Sequence, residues 1–103
     1  MARRPHSSRQ ALLLLDALLR RPADWRHGYD LLNETGLKSG TLYPLLMRLN
    51  DDGWLESEWR PPVPPARAPR HAYRLTTQGR ACAQSLMSEA NKLLPAAAVM
   101  AAP

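Results

Sequence analysis

The spacing of hydrophobic positions changes along the chain, and each change marks an element. Leu12, Leu15, Leu18 and Leu19 recur at helical spacing, which predicts a helix over about residues 9–20 with Ser7 or Ser8 as N-cap and Pro22 as its stop. Residues 23–27 read as a connection. After Gly28 and Tyr29, the pattern Asp30, Leu31, Leu32, Glu34 predicts a short second helix ending near Gly36, with Leu37 anchoring the turn. From Ser39 or Thr41 as N-cap, a third helix carries Leu42, Leu45, Leu46 and Leu49, a core-facing stripe, and ends within residues 50–53. Pro44 suits the first turn if Thr41 is the cap, because its missing amide would be an orphan there anyway. With Ser39 as cap it lies deeper and bends the helix.

The period then falls to two. Leu55, Ser57 and Trp59 alternate with Glu56, Glu58 and Arg60, and residues 71–75 answer with Tyr73 and Leu75 against Ala72 and Arg74. Between these strands lies PPVPPARAP, residues 61–69, with five prolines, too stiff and donor-poor for a central strand and suited to a projecting hairpin tip. Thr76 or Thr77 caps a last helix to about Leu94, with Cys82, Leu86, Ala90, Leu93 and, past Pro95, Ala97 on one side. Residues 96–103 are expected to fray or to pack on a partner. A two-stranded hairpin is unstable alone, and Trp54, Leu55, Trp59, Tyr73 and Leu75 are the residues expected to pack it on the helices, with Tyr29 also in the core. The expected fold is mainly α with a small antiparallel hairpin, in the order of a winged helix-turn-helix. That geometry lays the third helix in a major groove and the wing on flanking phosphates or the minor groove.

Composition narrows the partners. At 103 residues the chain has room for one ordinary core, and its small buried fraction makes a second copy a plausible part of the fold. The net charge of +5 and a pI near 10.1 favour a polyanion. The charge is segregated: Arg3, Arg4, Arg9, Arg20, Arg21 and Arg26 face only Asp16 and Asp24 in the first 26 residues. Residues 27–59 are acidic, with Lys38 and Arg48 against Asp30, Glu34, Asp51, Asp52, Glu56 and Glu58, and residues 60–80 carry five arginines and no acid. Basic flanks around an acidic middle suit a module that grips phosphates with its ends and reads with its centre. One cysteine, Cys82, excludes an internal disulfide and fits a reducing cytoplasm as a small core residue. The scattered His6, His27 and His71 lack metal-ligand spacing, and no cofactor is called for. No apolar run reaches the length of a membrane span. Arg20 and Arg21 follow the leucine-rich stretch without a cleavage site, so no targeting segment is expected. Asp30, Asp51 and Asp52 have no nucleophile, metal cluster or phosphate-cradling loop beside them, so the chain is not expected to be an enzyme.

Three blocks, HGYDLL at residues 27–32, SGTLYPLLMRLNDDGWLE at 39–56 and RHAYRLTTQGR at 70–80, resemble the signatures of the PadR family of bacterial transcriptional regulators. The resemblance spans about residues 11–86. It implies a homodimeric repressor with a winged helix-turn-helix over residues 1–76 and a dimerisation helix and tail over 77–103, as in the short subfamily with a single C-terminal helix. In that family the last helix packs on the partner's first, which would bring Leu12 and Leu15 near Leu86, Ala90 and Leu93 of the other subunit. Some short members bind flat aromatic drugs between tryptophans of that helix pair. This chain has no aromatic after Tyr73, so that drug pocket is not expected here, and the identity of a possible small-molecule effector is left open. Two departures stand out: the connection RPADWRHGYD is longer than usual, and Ala72 replaces a common aromatic.

The candidate contacts to double-stranded DNA follow from these elements. Lys38, Ser39 and Thr41 lie at the start of the third helix, where free amides and the helix dipole favour phosphate. Gly40 would admit the backbone closely, Pro44 and Arg48 lie opposite the leucine stripe, and Tyr43 offers a hydroxyl at the rim. Arg48 could meet a phosphate or a guanine edge. Arg67 and Arg70 in the wing are expected on phosphates or in the minor groove, and Arg3 and Arg4 as a basic arm or a loose end. Because the reading face is poorly charged, a protein-interaction module that engages another regulator is the alternative to a sequence-specific regulator on a pseudo-palindromic operator.

Overall fold

The computed structural model describes residues 6–62, 64 and 69–93. Its elements run α1 (Arg9–Arg20), β1 (Arg26–His27), α2 (Gly28–Thr35), α3 (Ser39–Asp51), β2 (Leu55–Arg60), β3 (Arg70–Leu75) and α4 (Thr77–Leu93). It is mainly helical with a small antiparallel sheet, as expected, but the sheet has three strands in the order β1-β3-β2. The unforeseen strand is β1, where a plain connection was expected: Arg26 pairs with Tyr73 and His27 with Ala72. Two residues are too few to show a period. Their cover helps explain why Ala72, expected on the open face, is fully buried.

Local chemistry sets each helix end. The Ser8 hydroxyl accepts the Ala11 amide at 3.2 Å, choosing Ser8 over Ser7 as the cap of α1. Helix α2 begins at Gly28 and closes on Gly36 in the left-handed region at φ 73°, whose amide bonds the Leu32 carbonyl at 2.9 Å. The Thr35 hydroxyl donates to the Leu31 carbonyl and accepts the Leu37 amide, which fixes the turn into α3. At the end of α3, the Trp54 amide bonds the Leu49 carbonyl and the Gly53 amide that of Asn50, with Gly53 at φ 79°. This Schellman arrangement turns the chain into the wing.

One core joins all layers. Leu14, Leu15 and Leu18 of α1, Leu31 of α2 and Leu42, Leu46 and Leu49 of α3 are fully buried, and Leu55, Tyr73, Leu75, Ala83 and Leu86 close it from the sheet and α4. Cys82 packs half-buried at its edge, as a small core residue. Among the described residues Arg26 is the one buried charge. It donates to the Ala17 carbonyl at 3.0 Å and pairs with Glu34, satisfying an orphan carbonyl at the end of α1 and tying it to α2. Burial, reinforced by Arg21, lowers the Arg26 pKa from its ordinary value. Trp25, in the long connection, lies under the Arg74 guanidinium at 4.3 Å.

Two aromatics expected inside are outside. Trp59 is 69% exposed because its register, opposite His71, places it beyond the reach of the helices, where the two rings stack at 4.4 Å. Tyr29 is 67% exposed because the apolar face of α2 is carried by Leu31 and Leu32 alone.

Candidate nucleic-acid interface

Helix α3 starts earlier than either expected cap. Lys38 is its N-cap, in extended geometry at ψ 154° with no side-chain bond, because an ammonium has no acceptor to offer. Its carbonyl takes the amides of both Thr41 and Leu42 at 2.9 Å. Ser39 and Thr41 are therefore inside the first turn rather than caps, and the leading amides of α3 have no side-chain partner from Lys38. Pro44 falls in the second turn. It withholds the amide that would bond the Gly40 carbonyl, yet the helix continues to Asp51.

The buried stripe Leu42, Leu45, Leu46, Leu49 fixes which side of α3 faces out. Directly opposite it stand Gly40, Pro44, Met47 and Asp51, all exposed, flanked by Arg48 on one side and Tyr43 on the other. Ser39 and Lys38 are exposed at the leading end and Thr41 is half-buried. Tyr43 is 39% exposed, and its ring lies over Gly28, where any Cβ would come within 2.6 Å of the phenol oxygen. It thus sets the spacing of α2 and α3 while its edge stays at the rim. Met47 is 65% exposed, the long side chain at the middle of the outer face.

The wing carries the second set of cations. In the β2–β3 register Arg60 stands opposite Arg70, and beyond them the chain enters the proline-rich tip. Like charges directly opposed in a ladder repel, and Arg60 is partly balanced by Glu58 at 2.6 Å. Arg60 and Arg70 line a 390 Å³ recess with His27, Pro61, Pro62 and Pro64. Lys38, Arg48 and Arg70 have no carboxylate partner among the described residues. Arg67, Arg3, Arg4 and residues 94–103 lie outside the described residues. On the other face of the wing, Trp59, His71 and Tyr73 form a continuous ring ladder, in which the Tyr73 hydroxyl and His71 Nδ1 are 3.1 Å apart. Burial, with a smaller contribution from Tyr43, raises the Tyr73 pKa above its ordinary value.

Sequence reasoning missed Arg60, although counting back from Leu55 opposite Leu75 would have placed it across from Arg70. It also missed Arg26, since an arginine in a short connection carries no sign of burial in the sequence.

The residues expected at a subunit contact divide. Leu15 and Leu86 are buried in the chain's own core, because α1 and α4 pack on each other within one chain. Leu12 and Ala90 are half-buried, and with Leu13, Met87, Arg9 and Asp16 they line an open groove of about 650 Å³. The side chain of Leu93 lies outside the described residues. Among the described residues no helix is long and apolar enough to cross a membrane, and no His, Cys, Asp and Glu group could hold a metal.

Residues 14–85 match the model of the transcriptional regulator PadR-like family. Among solved structures, a PadR-like transcription factor from Bacteroides fragilis is 30% identical with a TM-score of 0.64, covering 82% of this chain and 85% of its own. The protein ytfH from Salmonella typhimurium, described as a transcriptional regulator, is 28% identical with a TM-score of 0.68, covering 85% of this chain and 74% of its own. The protein smu.1704 from Streptococcus mutans is 26% identical with a TM-score of 0.64, covering 82% and 80%. Comparison with curated protein sequences finds no match.

Proposed function

The chain belongs to the PadR-like family of transcriptional regulators, and from that premise we propose that it is a homodimeric, sequence-specific DNA-binding repressor acting in the cytoplasm on a pseudo-palindromic operator. The observation that carries the reading is the outer face of α3, held clear of the core between Lys38, Arg48 and the wing arginines, none of the first two engaged by an acid among the described residues. In this reading α3 enters a major groove. Lys38, Ser39, Thr41 and Tyr43 hold phosphates at its leading end, Gly40 and Pro44 allow close approach, and Arg48 meets a base edge or phosphate. Arg67, Arg70 and Arg60 bring the wing onto the flanking backbone.

Residues 1–76 then form the DNA-binding part, and residues 77–103 extend the pairing surface. Leu12, Leu13, Met87 and Ala90 are the contacts offered for a second copy; Leu13 is 42% exposed, an exposure that pairing would remove. Burying this groove supplies apolar area that one small core lacks. With no aromatic on α4, flat aromatic effectors have no stacking platform there.

The division of roles is testable by measuring affinity for several duplexes. Arg70→Ala or Thr41→Ala is expected to weaken binding to all of them by a similar factor, whereas Arg48→Ala changes the ranking, by about tenfold at one base-pair position. The reverse pattern would exchange the roles, and intact protein that binds no duplex would contradict the reading.

A further inference from the structure

Resting on the placement of α3 in a major groove, we propose that Met47, with Pro44 beside it, reads thymine 5-methyl groups in each half-site. The outermost line of α3 is Gly40, Pro44, Met47 and Asp51. None of these side chains carries a hydrogen-bond donor, and Pro44 lacks even the backbone one. The donors that commonly pair with guanine or adenine edges are absent from the part of the helix that stands furthest out. Arg48 and Thr41 lie to its side, and Thr41 is half-buried.

Two neighbours of Met47 sharpen its position. Gly40 has open space around its missing side chain, with no atom within 4 Å of a built Cβ, and Pro44 is short, so the leading half of the helix can sink toward the groove floor. Met47 then arrives as the longest apolar probe, 65% exposed to water in the free protein. In the major groove the base edges present acceptors, donors and one apolar group, the thymine methyl. An unbranched thioether adapts readily to such a surface. Asp51, one turn further on, disfavours phosphate at that end and can accept from a cytosine amino group, which keeps the contact on base edges. The cations at Lys38 and in the wing supply attraction to the backbone, leaving Met47 to discriminate.

The test replaces each thymine of a selected operator half-site in turn by deoxyuridine, which deletes the methyl and leaves the pairing and groove hydrogen-bonding groups unchanged. The full chain is expected to bind about fourfold more weakly for each methyl that Met47 covers, from the value of one buried methylene-sized group. Met47→Ala should abolish that difference, Met47→Leu should retain it, and both should keep the wild-type salt dependence. Tight binding with no effect of deoxyuridine at any position would overturn the proposal while leaving DNA binding intact. So would methyl discrimination that survives Met47→Ala, or a Met47 needed for a protein partner and not for duplex. Failure of the wild-type chain to bind any duplex would overturn the DNA reading itself.

Discussion

Gly79→Ala is expected to lower Tm by about 10 °C or more, the largest stability loss of any single methyl added to this fold. A Cβ built at Gly79 would stand 1.9 Å from the Trp54 carbonyl oxygen and 2.7 Å from its Cα, and neither is the end of a flexible side chain. The close approach is enforced from both sides. The Thr76 hydroxyl donates to the Gly53 carbonyl at 2.6 Å and accepts the Gly79 amide at 2.9 Å, while the Thr76 amide bonds the Trp54 carbonyl at 3.0 Å. Thr76 thereby caps α4 and clamps its first turn across the end of α3. Relief requires α4 to shift off the core, which would loosen the packing of its own buried Ala83 and Leu86. Overpacking that moves backbone costs about 3 kcal/mol, and each kcal/mol is worth about 4 °C or more at this size. Gly40→Ala is the matched control. It adds the same methyl to a helix where nothing lies within 4 Å, so stability should hold or rise by a few tenths of a kcal/mol or more. Thermal unfolding followed by circular dichroism separates the two, and an unchanged Tm for Gly79→Ala would mean that α4 does not dock on Trp54 as described.

Binding to duplex DNA is expected to collapse with salt. If each subunit neutralises three phosphates, through Lys38, Arg60 and Arg70, a dimer neutralises about six and log affinity falls with log salt at a slope near −5. Raising salt from about 50 to 200 mM should then weaken binding roughly a thousandfold. Arg70→Ala removes one cation from each subunit and should flatten the slope by about 2, whereas Met47→Ala, which removes no charge, should leave it unchanged. Fluorescence anisotropy across that salt range reads both. A slope near zero would contradict a phosphate-gripping wing.

The parts of the fold visible in the sequence are those whose energetics are periodic. The leucines of α1 and α3 repeat at helical spacing, so the helices and their buried faces follow directly, and alternation across Leu55, Ser57 and Trp59 gives the wing. What escaped is decided by position in space. β1 exists because β3 offers a free edge to Arg26 and His27, and two residues have no pattern to detect. Arg26 is buried because the orphan Ala17 carbonyl and Glu34 converge on it, partners brought together only by folding. Trp59 and Tyr29 look like core residues by type, yet the helices end before reaching one and turn away from the other. The start of α3 was misplaced because cap preference points to Ser39 and Thr41, while the turn from Gly36 and Leu37 delivers the chain into helix one residue sooner. At the candidate site, Lys38, Ser39, Gly40, Pro44 and Arg48 are exposed as expected, with Tyr43 at the rim. The tertiary structure added Arg60 across from Arg70 and placed Leu15 and Leu86 in the chain's own core.

The central claim is that paired copies of this chain read duplex DNA through α3, and selection of bound duplexes from a random pool tests it most directly. The account predicts enrichment of two inverted half-sites whose centres lie about 10 base pairs, or a multiple of that, apart, with thymines where Met47 meets the groove. A pool that shows no enrichment after repeated rounds, or a single half-site with no inverted mate, would contradict it.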